Sequence, residues 1–89
     1  MKVESIKFKR HFTPNMSCGT GYSESEVCDV TVNGKTHEIW VDTWYCPLSM
    51  VKDNLAEALK YKFGDKCENI DEAFKMFCEE WPDRYKPLK

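Results

Sequence analysis

Eighty-nine residues make one domain with a single modest core. Hydrophobic residues at 42% and aromatics at 13% place the chain well above a disordered composition, so it is expected to fold. A formal charge of -2 carries no global signature of nucleic-acid binding, and no apolar run has the length of a membrane span or a secretion signal.

Residues 2–12 alternate in part. Ile6, Phe8, Arg10 and Phe12 would share one face of a strand, with Lys7, Lys9 and His11 on the other. Residues 13–22 hold Pro14, Asn15, Gly19 and Gly21, which read as a long loop.

A β-hairpin follows. Residues 26–32 and 35–43 are rich in Val, Ile, Trp and Thr. Between them, Asn33 and Gly34 suit the positive φ of a type I′ turn. That turn fixes a register in which Val32 faces Lys35, Val30 faces His37, Cys28 faces Ile39 and Glu26 faces Val41. These residues form the expected core face, and His37 there reads as a hydrogen-bonded core histidine. On the other face Thr31 meets Thr36, Asp29 meets Glu38 and Val27 meets Trp40, with Asp42 and Trp44 continuing it.

Two helices complete the chain. Ser49 is the expected cap of a helix to Phe63, with Gly64 as its stop. Val51, Leu55, Ala58, Leu59 and Phe63 form its apolar stripe. Asn69 and Glu72 resemble a capping box opening a second helix, whose stripe is Ile70, Ala73, Phe74, Phe77 and Trp81 and whose end is Pro82. The fold class expected is α+β: a three-stranded antiparallel sheet with two C-terminal helices on one face. Residues 1–82 make this domain, and residues 83–89 read as a loosely ordered tail.

The outer hairpin face is the most unusual feature. Asp29 opposite Glu38 sets like charges together, which is unfavourable unless something offsets it. Trp40, Asp42 and Trp44 lie on the same face. Aromatic residues beside charges suit a docking surface, so Asp29, Glu38, Trp40, Asp42 and Trp44 are the candidate partner-binding residues. The expected partner is a protein with a basic surface. The expected role is that of a small inhibitor or adaptor in the cytoplasm, the type of orphan domain that phages and mobile elements encode. A homodimer through an exposed sheet edge or the tryptophan patch is the related possibility.

Two further function classes follow from other residues. The basic strand with Lys2, Lys7, Lys9 and Arg10, flanked by Phe8 and Phe12, would suit a nucleic-acid backbone and stacked bases. It would equally neutralise the acidic hairpin by lying beside it. Cys18, in a glycine-flanked loop, with His11 or His37 as base, would make a cysteine-dependent enzyme. No known cysteine-enzyme signature surrounds Cys18, and a chain this short offers little material for a pocket, so no catalytic residue is assigned. The carboxylates Asp29, Glu38 and Asp42 on a flat face favour solvation over a divalent cation. The five cysteines have no closely spaced pair, which disfavours zinc, and reduced thiols are expected. No cofactor is assigned.

Overall fold

Asn33 and Gly34 both take positive φ, 52° and 78°, and close the hairpin as a two-residue turn. A computed structural model describes residues 1–13, 24–43 and 46–86. Strands β1 (Ser5–Phe12), β2 (Ser25–Val32) and β3 (Lys35–Asp42) precede helices α1 (Leu48–Phe63) and α2 (Ile70–Glu80). The sheet is antiparallel with order β1-β2-β3, so the fold is the α+β arrangement β-β-β-α-α. No helix among the described residues is long and apolar enough to cross a membrane.

The register of β2 and β3 is the one the turn predicts, from Val32 opposite Lys35 to Ser25 opposite Asp42. Cys28, Val30, Val32, Ile39 and Val41 are buried, and with Ile6 they form the sheet's share of the core. The helices supply Val51, Leu55, Leu59, Ala73, Phe77 and Trp81. These fall at helical spacing, so each helix turns one stripe to the sheet. Helix α1 packs chiefly on β3 and α2 chiefly on β1.

Strand β1 departs from its alternation. Phe8 pairs with Cys28, yet Arg10 pairs with the very next residue of β2, Val27. Lys9 is therefore an extra residue, a β-bulge. Beyond it the faces exchange. His11 pairs with Glu26 on the inner side, whereas Arg10 and Phe12 pair with Val27 and Ser25 on the outer side. The expectation that Ile6, Phe8, Arg10 and Phe12 share one face thus holds only as far as Phe8.

Helix α1 begins with Pro47 as its cap, and Ser49 lies inside the first turn. Proline offers no side-chain acceptor to the first-turn N–H groups, and its own lack of an N–H leaves one fewer donor to satisfy at the helix start. Gly64, at φ 79°, ends the helix, its N–H donating to the Lys60 carbonyl at 2.7 Å. Asn69 caps α2 by position and its Nδ2 donates to Glu72 Oε1 at 3.0 Å, but it makes no side-chain bond to the helix N–H groups and reaches Val3 as well. Its Oδ1 accepts from the Val3 N–H at 2.9 Å, and its Nδ2 donates to the Val3 carbonyl at 3.0 Å. Residues Asp83–Tyr85, within the stretch expected to be a loose tail, form a single 3-10 turn. Tyr85 stacks on His11 with ring centroids 3.8 Å apart.

Cys28, Cys67 and Cys78 carry free thiols. Burial, aided by the nearby carboxylates Glu26, Glu80 and Asp29, pushes the Cys28 thiol up to about 12. It acts as a small apolar core residue.

Candidate partner-binding face

The helices pack on one face of the sheet, and the outer face carries Asp29, Glu38, Trp40 and Asp42. Trp44 lies outside the described residues. Asp29 and Glu38 are directly opposite each other, as the register requires. Their repulsion is offset by the bulge. Lys9 Nζ lies 3.8 Å from a carboxylate oxygen of each, and Arg10 Nη2 lies 3.7 Å from Glu38. Lys9 is half exposed, so these pairs are screened and individually weak. Their effect is on the character of the face, which presents mixed charge at its centre.

The bulge also assembles an aromatic patch. The Phe12 and Trp40 ring centroids are 4.8 Å apart at 58°, and the Arg10 guanidinium sits 5.1 Å over the Trp40 ring. Trp40 remains 44% exposed despite both neighbours. Beside it, Asp42 accepts a hydrogen bond from Ser25 Oγ at 3.3 Å. Phe12 and Arg10 join the site only through the shift at Lys9. Strand alternation puts both on the face of Ile6 and Phe8, so in the sequence they are candidates for a nucleic-acid-binding strand and not for the partner-binding face.

A second polar cluster lies on the inner side, at the same end of the sheet. Glu26 has no exposed surface. Its Oε2 lies 2.8 Å from His11 Nδ1 and accepts from Thr43 Oγ1 at 3.2 Å. The other His11 nitrogen lies 3.0 Å from Glu24 Oε1. Each ring nitrogen is thus within hydrogen-bond distance of a carboxylate oxygen, and an imidazole N–H donates to at least one of them. Burial raises the Glu26 carboxyl above its ordinary range, opposed by His11, Thr43 and Trp81. Glu26 Oε1 and Trp81 Nε1 form no hydrogen bond of good geometry, although the indole N–H is near enough to favour the charged carboxylate. The signal for this cluster was in the hairpin register, which put Glu26 on the core face.

The other candidates are dispersed. Cys18 lies outside the described residues. His11 is engaged by two glutamates and by Tyr85. His37 is on the inner face by register but exposed, edge-on to Phe63 with centroids 5.1 Å apart. It sits near the hairpin tip, where α1 has reached its last turn, so the expected core histidine is a rim residue instead. Among the described residues no group of three or more His, Cys, Asp or Glu side chains is placed to hold a metal ion.

No family model, no curated protein and no solved structure matches the chain.

Proposed function

We propose that this chain is a small protein-binding module, of inhibitor or adaptor type, that docks through the outer face of its sheet around Trp40. The observation that carries this reading is a large aromatic side chain left 44% exposed on a rigid strand, flanked by Phe12, Arg10 and Asp42. Clusters of Trp and Arg on ordered elements are the residue types that concentrate binding energy at interfaces. Asp29 and Glu38 contribute there mainly through the positions of Lys9 and Arg10, and Asp42 supplies the carboxylate for a basic group on the partner. The free thiols of Cys28, Cys67 and Cys78 support a reducing, cytoplasmic setting.

The test is Trp40→Ser, with capture of binding proteins from the source cell compared between wild type and variant. Trp40 lies outside the main core, so the variant should melt within a few degrees of wild type. Its captured partner should be lost. A variant that unfolds would make Trp40 a structural residue, and one that keeps the partner would place docking elsewhere; either result sinks the proposal.

A further inference from the structure

The two edges of the sheet are treated differently. In β1 the N–H of Phe8 points away from β2 and donates to Glu80 Oε1 of α2 at 2.9 Å. Edge groups covered in this way cannot recruit another strand. In β3 the turn decides which groups point outward. Val32 and Lys35 flank a two-residue turn and form a hydrogen-bonded pair, so Lys35, His37, Ile39 and Val41 direct their backbone groups to β2. Thr36, Glu38, Trp40 and Asp42 direct theirs to the open edge. The carbonyl of Asp42 is satisfied by Asn54 Nδ2 of α1 at 3.0 Å. Thr36, Glu38 and Trp40 have no backbone partner on that side among the described residues.

Beside this edge lies a groove of about 650 Å³. One wall is Glu38, Trp40 and Asp42 of β3. The other is one stripe of α1 that includes Glu57, Ala58, Tyr61 and Lys62. Tyr61 is 90% exposed, which is unusual for an aromatic side chain on a helix packed against a sheet. The groove holds three carboxylates, Glu38, Asp42 and Glu57, against one ammonium, Lys62. Of these four, only Glu38 forms ion pairs among the described residues.

We infer that the open edge of β3 takes an extended, basic peptide segment of another protein as a fourth strand, laid between β3 and α1. This deepens the proposed docking reading and rests on it. The backbone of Thr36 to Trp40 supplies the hydrogen bonds, as in other strand-addition complexes. An added strand turns alternate side chains to opposite sides. One set lies over the outer face beside Trp40 and Asp42, where Lys or Arg is favoured. The other set enters the groove against Ala58 and Tyr61, where an aliphatic residue fits.

The probe is a capped peptide of about six residues alternating Lys and Val, roughly the length of an average strand. Amide exchange and chemical shifts are followed in the intact protein. Slowed exchange at the Glu38 and Trp40 amides is expected on adding the peptide. Three controls should each weaken binding, by about tenfold where hydrogen bonds are lost: an N-methylated peptide, a Glu-Val peptide, and the Asp42→Asn, Glu57→Gln protein. Shifts confined to the Trp40 indole and Phe12, without slowed edge amides, would overturn strand addition and leave outer-face docking standing. No response at any residue would overturn strand addition, while capture by wild type but not Trp40→Ser would still support the docking face. Slowed edge amides that depend on protein concentration without peptide would mean that a second copy of the chain occupies the edge, which also overturns the inference.

Discussion

A carboxylate with no exposed surface must be neutral or held by donors on every side. Glu26 is held on one oxygen, by His11 and Thr43, and not on the other. The result is a carboxyl whose folded pKa lies above 4.5, its ordinary value, because desolvation outweighs His11. A raised folded pKa means that the folded state binds this proton more tightly than the unfolded state. The associated stability is complete below pH 4.5 and is lost as pH rises through the folded value. Glu26→Gln removes the titration and keeps the shape. Urea melts of both proteins from about pH 4 to about pH 7 should show wild type losing ground to the variant as pH rises. A difference that does not change with pH would show that the buried carboxylate is charged at no net cost.

At the scale of elements, the bulge in β1 determines what the outer face is. Without it, Phe12 and Arg10 would point inward and His11 outward. Lys9 is the inserted residue, so its deletion should make the ladder regular: Phe8 opposite Cys28, then Arg10 opposite Val27, with His11 and Phe12 keeping their partners. In a strand already regular, a one-residue deletion would instead exchange every face beyond it. The variant should therefore fold, with a small loss from two exposed ion pairs worth about 0–1 kcal/mol each. The stacked pair His11–Tyr85 and the Phe12–Trp40 contact should survive as ring-current shifts in a proton spectrum. Their loss would mean that the extra residue holds the strand in place by more than counting. The bulge was also where sequence reading stopped. Asn33-Gly34 specifies a turn by its φ values, and that turn specifies a register, so the hairpin was legible residue by residue. Gly64 and the spacing of Val51, Leu55 and Leu59 made α1 legible in the same way. The run from Ser5 to Phe12 alternates acceptably with or without an insertion, since Lys9 and Arg10 are both tolerated outside. Only the partner strand reveals the shift. Phe12 and Arg10, the two neighbours of Trp40 in the aromatic patch, were hidden for that reason.

The whole molecule is closed by a contact that no local pattern announces. The chain before β1 is tied to the connection between the helices, which adds to the hold that the apolar stripe of α2 and the Phe8 N–H to Glu80 contact already give. Met1 contributes to this tie, its carbonyl accepting from the Glu68 N–H at 2.8 Å, and Asn69 contributes through its side chain. It accepts from the backbone N–H of Val3 and donates to the Val3 carbonyl, a pairing across 66 positions of sequence that imitates one rung of a sheet. A capping asparagine was legible; its use of both amide atoms on a distant backbone was not, because the spacing of Asn69 and Glu72 gives no information about Val3. Asn69→Ala would leave both Val3 groups unpaired in a partly buried position and remove a second contact, Asn69 Nδ2 to Glu72 at 3.0 Å. The expected cost is about 1–3 kcal/mol. For a chain this short, that is roughly 4–8 °C of melting temperature per kcal/mol. Asn69→Asp separates the two bonds, because it keeps an acceptor for the Val3 N–H and loses the donor to its carbonyl. Its loss should fall between wild type and Asn69→Ala. The exchange rate of the Val3 amide reads the tie directly: it should stay slow in Asn69→Asp and rise in Asn69→Ala. Equal rates in all three proteins would show that the packing of α2 on β1, through Phe77 and Trp81, holds the two ends of the molecule together without this contact.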